Sequence, residues 1–191
     1  MQNERPHIQE ILDTRVSRFR DLKPLPVQQD TSVPQDAFDL VYARELLPVV
    51  GLEGDVKTPI SDAAPIQGAA GVTMTMAVCP PGQGPGLHDH KCTFETFTVL
   101  RGKFEFRLGD DGEESITLEP FDVVSLPPQV FRSFRNVSDK EGVLQVIISG
   151  GIHDMNDVQM HPEVGARLRE TSPEFFQRLI DSGIEFVERD S

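Results

Sequence analysis

Two histidines and a glutamate, at His88, His90 and Glu95, have the types and the spacing that metal chemistry needs. Alternate residues of a strand point to the same face, so the two imidazoles lie roughly 6.6 Å apart along one face. In the same way Glu95 shares a face with Phe97 and Val99. An ionised carboxylate among apolar side chains needs a partner, and two imidazoles with one carboxylate are the set that divalent iron favours when coordination positions stay open. The sequence therefore predicts a metal site at these three residues.

Two glycines frame this set, because Gly82 precedes the histidines and Gly102 follows the glutamate. The whole pattern resembles the first motif of the cupin superfamily, G-x5-HxH-x3,4-E-x6-G, and the resemblance covers about residues 71–150. It implies an all-β fold, the antiparallel double-stranded β-helix or cupin jelly-roll barrel, with short N-terminal and C-terminal helical extensions. Quercetinase-like cupins share the HxH-x4-E spacing, so the resemblance also implies a dioxygenase-type reaction on a small molecule. Iron is the favoured metal, and manganese, nickel and zinc are the alternatives.

The second cupin motif, G-x5-P-x-G-x2-H-x3-N, is met only in part. Pro127 and Asn136 fit it. Phe121 and Gln129 stand where its glycines are usual, and Arg132 stands where the third metal-binding histidine is usual. Arginine stays protonated and offers no lone pair, so at most three protein ligands remain.

Strand alternation places Arg132 on the same face as Phe134, which leaves three interpretations of this arginine. In the preferred one, Arg132 is catalytic and holds the negative group of an anionic substrate beside the metal. In the second, Arg132 pairs with Glu95, the metal is weak or absent, and the protein is a non-catalytic or isomerase-like binding cupin. In the third, the guanidinium extends to the rim and is solvated.

The substrate pocket is predicted from aromatic residues that face the barrel interior. Phe104 and Phe106 alternate with charged residues in the strand after Gly102. The predicted apolar pocket consists of Phe97, Phe104, Phe106 and Phe134.

The elements around the site divide the chain into three parts of one structural domain. Residues 1–70 are predicted to form a helix from about Pro6 to Arg18 and an extended arm with one or two strands, packing on the barrel. Residues 71–150 are the barrel, whose last core strand is Val143–Ser149. Residues 151–191 are a helical extension, with one helix over about Pro173 to Ser182 and Gly183 as its stop.

Composition restricts the partners. The chain of 191 residues has 31 acidic and 18 basic residues and a net charge of −13, which would repel nucleic acid and anionic lipids. No apolar stretch is typical of a signal peptide or a membrane span, so we expect a cytoplasmic protein, and exposed sheet edges with a long arm favour a homodimer.

Four other residues that bear metal-binding groups are assigned no metal. Cys79 is expected to be a buried thiol. Cys92, two residues after His90, is interpreted as a packed or rim thiol, with a cavity-lining soft ligand as the alternative. His153 and His161 are interpreted as surface residues, although a C-terminal segment folded over the barrel mouth would make either one a fourth ligand.

Overall fold

The computed structural model describes residues 7–52, 58–68, 71–150 and 155–187. Within them the protein is mostly β, with two six-stranded sheets and small helices toward both ends. The predicted jelly-roll barrel with helical extensions is thereby confirmed.

The first sheet has the strand order β2-β1-β3-β10-β5-β8, and the second has the order β12-β11-β4-β9-β6-β7. The strands are β1 Glu45–Gly51, β2 Ile66–Gln67, β3 Val72–Cys79, β4 His88–His90, β5 Phe94–Arg101, β6 Phe104–Leu108, β7 Glu114–Leu118, β8 Val123–Leu126, β9 Arg132–Asn136, β10 Gly142–Ser149, β11 Val158–Met160 and β12 Glu185–Phe186. The helices are α1 Ile8–Thr14, α2 Gln35–Asp39, α3 Pro59–Ala63, α4 Pro162–Thr171 and α5 Pro173–Asp181, with 3-10 turns at Phe19–Asp21, Pro26–Gln29 and Met155–Asp157.

Side-chain alternation in the strands decides what faces the barrel interior. In β5 the residues Glu95, Phe97 and Val99 are buried, as their spacing predicts. In β3 the inward face carries Thr73 and Thr75. These are small side chains, so they leave space inside the barrel next to the predicted site.

The N-terminal arm contributes a full strand to the barrel. β1 pairs antiparallel with β3, so the arm packs on the barrel of its own chain. Within the arm, the largely apolar run at residues 38–43 is not a strand. Its first residues end helix α2, which buries Ala37 and Phe38. At the start of the arm, α1 is shorter than predicted and buries no residue, so the structure corrects the expected packing of its apolar side on the barrel.

The C-terminal extension is more elaborate than a single helix. α5 ends within one residue of its predicted boundary, and Gly183 follows it with a φ of +100°. Sequence patterns did not predict α4 or the short strand β11, which pairs antiparallel with β4. This pairing brings the segment after the barrel onto the strand that carries both histidines. No helix of the described residues is long and apolar enough to span a bilayer.

Candidate metal centre

The strand β4 holds His88 and His90 at the middle of the second sheet, between β11 and β9. The preceding loop passes very close to β9 at Gly84, where a β-carbon would lie 1.8 Å from the carbonyl oxygen of Phe134. Only a glycine fits so tight an approach. The proline- and glycine-rich loop thus fixes the point at which the chain enters β4.

His88, His90 and Glu95 come together as their spacing predicts. All three side chains are buried, and one ligand atom from each lies within 4.8 Å of the others. Glu95 Oε2 is 3.8 Å from His88 Nε2 and 3.7 Å from His90 Nε2. Two strands of different sheets therefore direct three metal-binding atoms at one point.

The second nitrogen of each imidazole is hydrogen-bonded to an acceptor. His88 Nδ1 donates to the carbonyl oxygen of Gly86 at 2.9 Å, and His90 Nδ1 donates to Asp157 Oδ2 at 2.8 Å. In the tautomer that carries its proton on Nδ1, each ring turns its Nε2 lone pair toward Glu95. A histidine whose other nitrogen is held by a carboxylate or carbonyl is the usual arrangement around bound metals.

Asp157 is a site residue that the sequence did not reveal. Its carboxylate also accepts hydrogen bonds from Thr93 Oγ1 at 2.5 Å and from the Cys92 backbone N–H at 2.7 Å. Burial alone would raise the pKa of Asp157, but these bonds, with that from His90, lower it. The residue lies 67 positions beyond His90, in a polar stretch, and only the pairing of β11 with β4 brings it to the site.

Arg132 lies behind the cluster and contacts it through Glu95. Its Nε donates to Glu95 Oε2 at 3.0 Å, and its Nη1 donates to the Val130 carbonyl oxygen at 2.9 Å. Arg132 is fully buried and is not among the residues that line the adjoining cavity. This is the contact of the second interpretation, and the guanidinium is not at the rim.

The charge of the cluster is balanced around Glu95. Burial would raise the pKa of this carboxyl, but the electrostatic effects of the neighbouring histidines and of Arg132, whose Nε lies 3.0 Å from Oε2, outweigh burial and hold the pKa well below its usual range. Glu95 is therefore an ionised carboxylate in the folded protein.

The residues fit a divalent metal ion. Two imidazole lone pairs and a carboxylate oxygen converge in a buried site, and such a set of acceptors repels itself unless a cation lies among them. Arg132 supplies one positive charge, but only to the carboxylate. The His88–His90–Glu95 cluster could thus hold a metal, whose identity the donor set leaves open.

A cavity of about 590 Å³ adjoins the cluster, and His88, His90 and Glu95 form part of its wall. Apolar side chains dominate the rest of the lining, from the arm, the barrel and the C-terminal extension: Leu25, Val27, Val41, Leu46, Ile60, Val146, Ile148, Met160, Phe175, Leu179 and Ile184. The size is that of a site for a small molecule.

The predicted aromatic pocket is corrected by the structure. Phe134 lines the cavity, but Phe97, Phe104 and Phe106 do not. These three rings are fully buried in the core, where Phe97 packs edge-to-face on Phe106 with centroids 5.1 Å apart. They face the interior as predicted, but they fill it with one another and leave no surface for a ligand.

Of the remaining candidate residues, those that the structure describes do not belong to the cluster. His161 caps α4 and contacts the Phe131 ring, at a centroid distance of 5.9 Å, and it is only partly exposed. His153 lies outside the described residues. The Cys92 thiol is exposed, whereas Cys79 is buried and burial raises its pKa to about 12.

A comparison with protein families finds a match over the part of the chain that contains this site. Residues 75–148 match the family model of the cupin domain. No curated protein matches the chain.

Solved structures resemble part of the chain. One is a cupin protein from Bacteroides fragilis, with 28% identity and a TM-score of 0.39, covering 43% of this chain and 68% of that chain. Another is a predicted oxalate decarboxylase from Thermotoga maritima, with 22% identity and a TM-score of 0.38, covering 41% of this chain and 66% of the other. A third, from crystal structures of DMSP lyases, has 17% identity and a TM-score of 0.46, covering 61% of this chain and 51% of the other. The family model and the motif carry the assignment.

Proposed function

We propose that the chain, whose residues 75–148 match the model of the cupin domain, is a metal-dependent cupin. In this proposal it oxidises a small, largely apolar molecule. One observation carries the proposal: three buried ligand atoms within 4.8 Å of one another form part of the wall of a cavity of about 590 Å³. A metal held by three protein ligands keeps positions open, and in such sites it activates oxygen or polarises a substrate.

The residues around the metal have separate roles in this proposal. His88, His90 and Glu95 hold the ion, while Asp157 fixes the ring of His90 through its hydrogen bond at 2.8 Å. The apolar cavity wall excludes water and orients the substrate by shape.

Arg132 is not assigned to the substrate in this proposal. The anionic substrate expected from the sequence depended on a guanidinium facing the cavity, but Arg132 is buried behind Glu95. The cavity lining contains a different arginine, Arg178, and its guanidinium is bonded to Asp30 at 2.8 Å. The lining therefore favours an apolar substrate over a strongly anionic one.

The test is the metal content of protein purified without a metal-affinity column. We expect iron, manganese, nickel or zinc in stoichiometric amount, by elemental mass spectrometry, and its loss in His88→Ala. His161→Ala is the matched control, because this histidine lies outside the cluster, and it should retain the metal. Wild-type protein that contains no metal and cannot be loaded with any of the four ions would contradict the proposal.

The reaction type is tested separately with iron-loaded protein in an oxygen electrode. Oxygen consumption that depends on a small apolar compound and disappears in His88→Ala would support an oxidation. Conversion of such a compound without oxygen uptake would contradict it and favour a lyase or isomerase.

A second candidate function is metal-free binding of a small molecule. The ion pair between Arg132 and Glu95, at 3.0 Å, favours it, because Glu95 is compensated without a metal. Metal-free protein that cannot be loaded but still binds a small apolar ligand would support this function.

A further inference from the structure

Arg132 occupies a special position relative to the metal centre. It lies directly opposite His88 in the pairing of β4 with β9. Its side chain is 0% exposed, and its Nη2 has no hydrogen-bond partner among the described residues. It costs free energy to bury a charged side chain whose hydrogen-bond donors are not all paired. A specific interaction must therefore offset the cost of burying Arg132.

The interaction that compensates Arg132 is with the metal-binding carboxylate itself. Nε donates to Glu95 Oε2, and the same oxygen is the one that faces Nε2 of both histidines. One carboxylate oxygen is therefore shared between a permanent cation and the place where a metal would bind. A histidine at position 132 would instead add a ligand, but it would give Glu95 no permanent charge when metal is absent.

We propose that Arg132 is a built-in counter-ion of Glu95, which stabilises the metal-free barrel and in return lowers the affinity of the site for a metal. The second half of this inference rests on the proposed metal-dependent function, and the first half does not. The two effects have opposite signs, because removing the guanidinium leaves a buried carboxylate uncompensated but also removes a positive charge that repels a divalent cation.

The first experiment is a double-mutant cycle in metal-free protein, in chelator, with Arg132→Met, Glu95→Gln and the two together. We expect Arg132→Met to lower the melting temperature by about 10 °C when Glu95 is present, since breaking a buried pair is strongly destabilising. In the Glu95→Gln background the same substitution should lower it by no more than about 3 °C. An equal decrease in both backgrounds would overturn the proposal.

One further variant, and the folding of the double variant, serve as controls for this cycle. Arg135→Met removes an arginine of the same strand whose partner is Glu105, at 3.1 Å, on the exposed face, and it should change the melting temperature little. If Arg132→Met alone does not fold, folding of the double variant would support the coupling, and a double variant that is also unfolded would contradict it.

The second experiment measures affinity for Co²⁺ by titration, followed by its visible absorption. We expect Arg132→Met to bind Co²⁺ at least about tenfold more tightly than wild type, and saturating Co²⁺ to remove most of its deficit in melting temperature. Arg135→Met should bind as wild type does. Unchanged or weaker binding by folded Arg132→Met would overturn the proposal, since a merely structural role would not raise affinity while lowering stability.

The experiments distinguish failure of the metal-dependent function from failure of the counter-ion role of Arg132. Wild-type protein and Arg132→Met that both bind no Co²⁺ or other divalent ion would contradict the metal-dependent function and the affinity half of this inference. The double-mutant cycle would still decide whether Arg132 is the counter-ion of Glu95, because it uses no metal.

Discussion

At the residue scale, the candidate metal centre depends on which atoms hold its two imidazoles in place. His88 is held by a backbone carbonyl and His90 by the carboxylate of Asp157. A carboxylate partner increases the basicity of an imidazole and fixes its orientation, which a carbonyl does less strongly. The two histidines would thus not be equivalent as metal ligands, although both belong to one motif.

Asp157→Asn tests this difference. The substitution keeps the size of the side chain but removes its charge, and we expect metal affinity to fall roughly 10- to 100-fold. Titration with Co²⁺ measures the change. Asp122→Asn is the control, because Asp122 is exposed and accepts a hydrogen bond from the Glu119 backbone N–H, far along the chain from the cluster. An affinity of Asp157→Asn within twofold of wild type would contradict the role given to Asp157.

At the element scale, the turn before β8 and the turn before β9 have backbone dihedral angles that favour glycine. Phe121 and Gln129 stand where the second cupin motif usually has glycines, and both have positive φ, 77° and 65°. Within the described residues they are the non-glycine residues in that region of φ. The chain therefore adopts the turn geometry of the motif at a cost in backbone strain.

Phe121→Gly should stabilise the protein by about 0.5 to 1 kcal/mol. The aromatic ring is 81% exposed, so its removal loses little packing, while glycine adopts a positive φ without the clash of a β-carbon. Urea unfolding gives the free energy of unfolding. Phe121→Ala is the matched control, since it removes the ring but keeps the β-carbon, and it should give no gain. A lower stability of Phe121→Gly than of Phe121→Ala would show that strain at this turn is not significant.

At the scale of the whole molecule, the two ends of the chain form a second core that covers the cavity. Phe38 of α2 and Phe175 of α5 pack edge-to-face with centroids 4.9 Å apart. The cluster around them joins α2, α4, α5 and β11, separately from the core of the barrel. Segments outside the cupin motifs thus line the cavity together with residues of the motifs and of the barrel.

Phe38→Ala should destabilise the protein by roughly 3 to 5 kcal/mol, because it opens a cavity in this second core. If the two ends fold cooperatively with the barrel, urea unfolding followed by circular dichroism and by protease sensitivity of the C-terminal segment should give one coincident transition. Early loss of the C-terminal segment, with the barrel unfolding at the wild-type urea concentration, would contradict cooperative folding. Phe121→Ala again provides a control at an exposed site.

The local sequence pattern was enough to predict much of the fold and the positions of the three candidate metal ligands. A strand has a side-chain period of two, so the spacing of His88, His90 and Glu95 placed all three on inward faces, and the strand that buries Arg132 with Phe134 followed in the same way. Pro173 and Gly183 marked the ends of α5, because the signals that start and stop a helix are local in sequence. In each case the information lies within a few residues of the element.

Tertiary structure alone decided the partners of these residues. The pairing of β11 with β4 brought Asp157 to His90, the fit of β9 beside β4 directed Arg132 to Glu95, and packing of the aromatic rings on one another removed Phe97, Phe104 and Phe106 from the cavity wall. These contacts join residues far apart in sequence, and burial selects among them by charge and shape over the whole fold. The sequence thus determined where a metal could bind, and the folded chain determined what charge surrounds it and what shape of molecule can reach it.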